Sequence, residues 1–217
     1  MDHAAARQNM VDCQILPNHV TSPAVVDGLM ELPREQFVPP EFAGVAYVDE
    51  ALPLGDGRYL MEPMVAARLL QDADLKADDV ALCIGCATGY LPALLAKAVS
   101  TVVAVESDKG FAQRAADTFN RLDIDNIAIV SGPLADGHAK QAPYEVIVFD
   151  GAVGEIPAAI IDQLAEGGRL VAVVVGDDGI GRGRLLTRFG GVVSGRDLFD
   201  AGTPLLPGFE REAAFSF

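Results

Sequence analysis

The stretch from Val80 to Glu106 constrains the fold of this chain more than any other part of the sequence. An apolar run over 80–84 ends in a turn of small residues, and a helix-compatible stretch then leads to a second apolar run that ends in Glu106. The order strand, turn, helix, strand, with an acid at the tip of the second strand, is typical of units that bind an adenosine-bearing cofactor. In such units the turn lets the backbone approach the ligand, and the acid accepts hydrogen bonds from the ribose hydroxyls.

The spacing of the small residues in the turn separates two classes of cofactor. Gly85, Ala87 and Gly89 form a G-x-A-x-G pattern, and Tyr90 stands where a dinucleotide fingerprint has its third glycine. Pyrophosphate binding needs that glycine for close helix approach, whereas S-adenosylmethionine carries no phosphate. Glu106 follows Gly85 by 21 residues (106 − 85), close to the ~20 expected for a ribose-binding acid. The pattern favours S-adenosylmethionine over NAD; a tight turn without a ligand is the alternative.

The charge of the chain limits its partners. There are 31 acidic and 16 basic residues, which give a formal net charge of −15. Phosphate groups would be repelled, so we expect neither a nucleic acid nor an anionic membrane as partner. The first ten residues lack the apolar segment of a signal peptide, and apolar runs such as 170–175 are too short to span a bilayer. These features predict a cytoplasmic protein.

The cysteines support the same compartment. Cys13, Cys83 and Cys86 are an odd set in a chain with no predicted signal peptide, which indicates reduced thiols. Cys83 and Cys86 form a C-x-x-C, so a redox pair or half of a zinc site is the alternative. No second pair follows, the histidines are scattered, and Cys83 is expected to lie in a buried strand. We therefore predict no metal site.

Strand and helix patterns alternate from residue 80 onward and predict an α/β fold. The predicted strands are 80–84, 101–106, 126–130, 145–150 and 169–175, and the predicted helices are 89–98, 109–121 and 157–165. This alternation predicts a Rossmann-like, mostly parallel seven-stranded sheet covered on both faces. Three further strands, over 183–189, 192–200 and 212–217, predict an antiparallel C-terminal edge.

The first 60 residues have a different character. Helices are predicted over 4–13 and 23–31, a strand and turn over 52–57, and a helix from Pro63 to Gln71. We expect an N-terminal helical extension over 1–60 and a Rossmann-like domain over 61–217, packed as one compact unit.

Ligands of open parallel sheets bind at the carboxyl ends of the strands. This rule predicts one crevice that collects the turn 85–89, Glu106, the segment 131–133 and Asp150.

The chain resembles the protein-L-isoaspartate O-methyltransferases over most of its length. The PREQFV segment at 33–38 together with LPLGDG at 52–57 is far more specific than the cofactor turn. Further matching segments are Met10-Val11 with Gln14, Pro63 with Ala67-Arg68, ATGY at 87–90, Ala142-Pro143-Tyr144, Ile156-Pro157, Gln163-Leu164 and Gly167-Gly168.

The resemblance implies methyl transfer from S-adenosyl-L-methionine to the carboxylate of a damaged aspartyl residue in a protein or peptide. It implies cofactor contacts from the turn, from Glu106 at the ribose and from a segment near the adenine. The implied cofactor-binding residues are Gly85, Cys86, Ala87, Thr88, Gly89, Glu106, Ser107, Gly132, Pro133, Leu134 and Asp150. A monomer or a homodimer is expected.

The sequence departs from the family pattern at three places. Met61 stands where the family has Ser or Thr, and Cys83 replaces the family's acid on the first strand. The family's C-terminal Phe-Val-Pro-Leu segment is replaced by residues 198–207. The first and third departures lie close to the substrate in the family, and the second supports the cofactor.

Met61, Glu62 and Asp150 are therefore the candidate catalytic residues. Glu62 would repel an incoming carboxylate unless a cation intervenes; Arg58 is a candidate for that cation, and solvated loop charges are the alternative for both. Asp150 is either a base toward a different acceptor, a cation-binding group, or a cap of the loop that follows it. Besides isoaspartyl methylation, the sequence leaves open a methyltransferase with another acceptor, including a small molecule, and a non-catalytic cofactor-binding homologue.

Overall fold

A seven-stranded sheet forms the centre of the protein. The computed structural model describes residues 2–210, so the strand predicted over 212–217 lies outside the described residues. A hairpin of β1 (Leu52–Gly55) and β2 (Arg58–Leu60) precedes the sheet. The strands of the main sheet are, in chain order, β3 (Val80–Ile84), β4 (Thr101–Glu106), β5 (Ile127–Ser131), β6 (Tyr144–Val153), β7 (Leu164–Val175), β8 (Gly181–Phe189) and β9 (Val192–Asp200).

The strand order of this sheet is β5-β4-β3-β6-β7-β8-β9. Strands β3 to β7 pair in parallel, and β8 and β9 add an antiparallel edge. This confirms the predicted Rossmann-like sheet with its antiparallel C-terminal edge. The chain proceeds outward from β3 to β5 and then resumes on the other side of β3 with β6. Ligands of open α/β sheets bind outside the carboxyl ends of the strands at such a reversal.

The helices cover the sheet and form the N-terminal extension. They are α1 (His3–Met10), α2 (Pro23–Glu31), α3 (Pro63–Asp72), α4 (Tyr90–Ala96), α5 (Lys109–Arg121) and α6 (Ala158–Ile161). Within residues 2–210, none of them combines the length and the apolar character needed to cross a membrane.

Two helix predictions differ from the structure. The helix predicted over 4–13 ends at Met10 and continues as a π turn over Val11–Ile15. The helix predicted over 157–165 is wrong in its second half, because α6 ends at Ile161 and β7 already begins at Leu164, where it pairs with Tyr144. The apolar pattern of this stretch fits either element over so short a length.

Alternating side chains of the central strands form a core on each face of the sheet. Cys83 packs in one apolar cluster and its neighbours Leu82 and Ile84 pack in the other. The cluster of Cys83 also contains Ile15 and Leu29 from the N-terminal extension. The extension is therefore in contact with the sheet, while the division at residue 60 stays a prediction.

Candidate active site

The turn after β3 depends on backbone conformations with positive φ. Gly85 and Gly89 have φ of +79° and +96°, and Ala87 between them has φ of +44°. A Cβ on Gly89 would lie 2.6 Å from Cε1 of Phe119, so no larger residue fits without displacing that ring. The Gly85 N–H donates to the Val105 carbonyl (2.9 Å), which joins the turn to β4. The turn therefore brings its backbone close to the tip of β4.

Glu106 is the centre of a hydrogen-bond network at that tip. Its side chain is fully buried. Oε2 accepts from the Ala87 N–H (2.7 Å), and Oε1 accepts from the N–H groups of Ser107 (2.8 Å) and Asp108 (3.0 Å). Arg58 Nη1 donates to Oε1 (2.8 Å) and to Oε2 (3.0 Å). Since a carboxylate offers roughly four lone-pair sites, these donors leave Glu106 no free acceptor site.

Arg58, from the hairpin strand β2, lies inside the cleft. Its side chain is 5% exposed, and its Nη2 donates to the Gly85 carbonyl. The guanidinium carbon lies 5.6 Å from the centre of the Phe111 ring. The alternative of a solvated loop charge is therefore wrong for Arg58. The pairing joins residues 48 positions apart, which no local sequence pattern indicates.

A segment after β9 covers the same cleft from the other side; we call residues 203–207 the covering segment. Its backbone pairs with β6, because the Ala152 N–H donates to the Pro204 carbonyl (2.9 Å) and the Leu206 N–H donates to the Ala152 carbonyl (2.8 Å). Leu206 is buried. A Cβ built on Gly151 would lie 2.6 Å from Leu206 Cγ, and one on Gly85 would lie 3.0 Å from Leu206 Cδ2. The absence of side chains at these glycines is therefore what lets Leu206 lie across the turn.

The remaining predicted cofactor-binding residues surround this centre. The Thr88 hydroxyl donates to the Phe37 carbonyl (2.6 Å), which ties the turn to the N-terminal extension. The Gly132 N–H donates to the Glu106 carbonyl (3.1 Å), so the segment 132–134 (Gly132, Pro133 and Leu134) follows β5 beside Glu106. Cys86 is fully buried, and burial raises the pKa of its thiol well above the ordinary value. The structure thus collects the predicted cofactor residues at one edge of the sheet, and their individual roles stay predictions.

Met61 and Glu62 lie next to the covering segment. Met61 is buried, and the Thr203 hydroxyl donates to Glu62 Oε2 (2.8 Å). A cavity of about 10 Å³ remains between Met61, Asp150 and the covering segment. A cavity of this size holds about one water molecule. Thr203 is a polar group at this position that the sequence analysis did not single out.

Asp150 lies in β6 on the opposite wall of that cavity. The side chain is buried, and its role, as a base, a cation-binding group or a loop cap, stays a prediction. Burial raises the pKa of Asp150 to about 7, although the positive charges of Arg58 and Arg34 act in the opposite direction. Asp150 therefore changes its charge near neutral pH.

Arg34 binds the backbone at Met61. The side chain is fully buried, its Nε donates to the Ala46 carbonyl (2.6 Å) and its Nη2 donates to the Met61 carbonyl (2.6 Å). The guanidinium carbon lies 4.7 Å from the centre of the Tyr90 ring. Arg34 belongs to the PREQFV segment and thereby links that segment to Met61, a role that the sequence analysis missed.

Comparisons with known proteins identify the family. The family model described as protein-L-isoaspartate(D-aspartate) O-methyltransferase matches residues 5–183. The chain belongs to this family. A protein-L-isoaspartate O-methyltransferase of Methanoculleus marisnigri is 38% identical over 168 residues, which cover 77% of this chain and 76% of the relative. The protein of the same name from Gloeobacter violaceus is 35% identical over 185 residues, which cover 85% of this chain and 90% of the relative.

Solved structures of family members share the fold. A protein-L-isoaspartate O-methyltransferase aligns with a TM-score of 0.80 and 24% identity over 93% of this chain and 66% of that chain. The beta-aspartate methyltransferase of Plasmodium falciparum, solved in complex with S-adenosyl-L-homocysteine, aligns with a TM-score of 0.78 and 19% identity over 95% of this chain and 98% of that chain. At these identities the likeness establishes the fold.

The family uses S-adenosylmethionine, and the residue types in the cleft match this cofactor. A glycine turn and an acid at the end of β4 are the expected groups. However, Arg58 occupies the acceptor atoms of Glu106, and Leu206 lies over Gly85. A cavity of about 310 Å³ does open nearby, but it lies between residues 36–40 and α5 and is not lined by Glu106 or Asp150. An S-adenosyl group bound between this turn and Glu106 would therefore have to displace Arg58 and Leu206.

The titration of Asp150 makes stability depend on pH. Its pKa is about 7 in the folded protein and 3.8 ordinarily, so between these values the folded state binds a proton that the unfolded state releases. The contribution of Asp150 to stability is therefore fully present below pH ~4 and is lost, by up to about 4 kcal/mol, as pH rises from ~4 to ~7. We expect Asp150→Asn to be more stable than the parent at pH 8 and to lose this advantage toward pH 4.5, as measured by urea unfolding.

The exposed Asp125 provides a matched control for this experiment. Asp125→Asn is expected to follow the pH profile of the parent within about 0.5 kcal/mol. If Asp150→Asn also ran parallel to the parent from pH 4.5 to 8, the raised pKa of Asp150 would be wrong.

Proposed function

We propose that this protein methylates carboxylates of isoaspartyl residues in proteins or peptides with S-adenosylmethionine as methyl donor. The family match over residues 5–183 carries the proposal. The meeting of the glycine turn, Glu106 and Asp150 at the carboxyl ends of β3, β4 and β6 supports it. The proposed reaction takes place in an open arrangement of the cleft, because Arg58 and Leu206 fill the closed one.

This acceptor needs little acid–base help from the protein. A free carboxylate has a pKa of about 4, so it is already ionised at neutral pH. The chain has to orient the carboxylate and exclude water. Met61 supplies no hydroxyl for this purpose, but the Thr203 hydroxyl lines the same small cavity. Because its one hydroxyl proton is donated to Glu62, Thr203 provides the orienting hydrogen bond that Met61 lacks only in an arrangement in which it has released Glu62.

Asp150 sets the expected pH dependence of the proposed reaction. Below its pKa of about 7, Asp150 is neutral and does not repel an acceptor carboxylate; above it, the two negative charges oppose each other. We expect kcat/KM for an isoaspartyl peptide to fall as pH rises above ~7, and Asp150→Asn to remove this fall. A parent profile that stays flat from pH 6 to 9 would contradict this role of Asp150.

The test of the proposed function is a methanol-release assay on a peptide pair. One peptide contains an isoaspartyl residue, and the control has the same sequence with an ordinary aspartyl residue. We expect base-labile methyl esters on the first peptide only, and none with the Glu106→Gln variant. Equal, background-level release from both peptides would overturn the proposal.

A second candidate is methylation of a different nucleophile with Asp150 as base. A buried carboxylate with a pKa of about 7 favours it, as does the closed surrounding of Met61. Retained cofactor binding without isoaspartyl methylation would support this candidate.

The proposal also includes the predictions made from the sequence. These are the cofactor and catalytic residues, the division at residue 60, a cytoplasmic location and a monomeric or homodimeric state.

A further inference from the structure

Arg58 and the acid that would hold the cofactor's ribose form a buried ion pair. The Arg58 side chain is 5% exposed and that of Glu106 is 0% exposed. In the fold rule for such sheets, the acid at this position receives hydrogen bonds from ribose hydroxyls. Here both of its oxygens accept from Arg58 Nη1, at 2.8 and 3.0 Å. Arg58 thus uses the atoms that a ribose needs.

The other donors to Glu106 are backbone N–H groups of the turn and of the start of α5, together with the Ser107 hydroxyl (3.4 Å). The N–H groups of Ala87, Ser107 and Asp108 all donate to it, and the same backbone shapes the turn and the start of α5. Among the donors to Glu106, Arg58 is the one on a long side chain from a separate hairpin. It is therefore the donor that can leave without unfolding the turn.

The hairpin that carries Arg58 has an irregular turn. The β1–β2 turn contains Gly55, Asp56 and Gly57 at positive φ, and the register of the two strands shifts at this end. Moreover, Arg58 Nε is buried without a hydrogen-bond partner within the described residues. Arg58 is thus held in the cleft at some cost, since a buried unpaired donor is unfavourable.

We propose that Arg58 is an intramolecular competitor of the S-adenosyl cofactor for Glu106, and that Leu206 closes the cleft over it. This inference rests on the proposed function only in the identity of the cofactor. A ligand that binds only the open state has its apparent Kd raised by the inverse of the open fraction. If the open state makes up about 1–10% of the population, the apparent Kd is about 10- to 100-fold above its intrinsic value.

The test is the Kd of S-adenosylhomocysteine, measured by calorimetry without an acceptor. We expect Arg58→Gln to bind at least ~10-fold more tightly than the parent, because the closed state loses its charge pair. Arg182→Gln is the matched control: Arg182, on β8, forms a partly exposed ion pair with Asp178 (2.6 Å), and its variant is expected to bind like the parent. An unchanged or higher Kd for Arg58→Gln would overturn the proposal.

A second variant covers the case in which Arg58→Gln does not fold. Leu206→Ala removes the side chain over Gly85 and leaves the ion pair in place, and we expect it to lower the Kd several-fold. If neither variant that folds binds more tightly than the parent, the competition does not exist. Because no acceptor is present, tighter binding without methyl transfer would contradict the proposed function alone. Methyl transfer by the parent with no tightening in the variants would contradict this inference alone.

Discussion

Glu106→Gln is expected to lower the free energy of unfolding by about 3–5 kcal/mol and to abolish measurable binding of S-adenosylhomocysteine. The substitution removes a fully buried charge and leaves Arg58 buried without its counter-ion, which is the costly way to break a buried pair. The new amide group also places its hydrogens against the N–H groups of Ala87 and Ser107, which donate to Glu106 in the parent. Urea unfolding and calorimetry measure the two effects.

The surface pair of Lys97 and Glu31 provides the control. Its N–O distance of 2.7 Å is close to the 2.8 Å of the buried pair, but its side chains are 38% and 61% exposed. Glu31→Gln should therefore cost at most about 1 kcal/mol. We also expect the double variant Arg58→Gln/Glu106→Gln to be more stable than Glu106→Gln alone, because its buried cation is gone. Additive losses in this cycle would contradict the pairing.

Arg34→Ala is expected to destabilise the protein by about 3–5 kcal/mol. The truncation leaves the carbonyls of Ala46 and Met61 without their donor, at about 1–3 kcal/mol for each buried group, and opens a cavity beside Tyr90. It also releases the backbone at Met61, so we expect methyl transfer to fall together with stability. Arg196→Ala, at an exposed position of β9, should change stability by less than about 0.5 kcal/mol.

Arg34→Lys separates the charge from the geometry of this contact. A lysine keeps the positive charge but cannot bridge two carbonyls as the planar guanidinium does. We expect Arg34→Lys to lose at least half as much stability as Arg34→Ala. A near-parental Arg34→Lys would show that charge alone, and not the link between the PREQFV segment and Met61, accounts for the role of Arg34.

The central part of the fold follows from local sequence patterns. The predicted bounds of β3, β4 and α5 agree with the structure, because apolar runs of strand length alternate there with an amphipathic helix. The helix predicted over 157–165 is wrong in its second half, because the apolar residues of so short a stretch fit helix and strand periods alike. There the pairing of Leu164 with Tyr144 decides the structure, and such pairing is a tertiary effect.

The sequence predicts where the candidate site lies, but not that Arg58 and the covering segment occupy it. The turn at 85–89, Glu106 and Asp150 meet because parallel strands end at one edge of a sheet. The closure of the site, in contrast, depends on contacts between distant residues. In sequence, Arg58 follows a glycine turn and is either a cation for the acceptor carboxylate or a solvated loop charge. The covering segment has no periodicity that places it over β6.

A crystal structure of the protein with S-adenosylhomocysteine tests the central claim most directly, namely that Arg58 and the cofactor share one site. We predict the ligand between the turn at 85–89 and Glu106, with its ribose hydroxyls on the Glu106 carboxylate. Arg58 should have left both carboxylate oxygens, and Leu206 should have moved away from Gly85. A ligand bound in the structure while Arg58 still contacts Glu106 at about the present 2.8 Å would contradict the account.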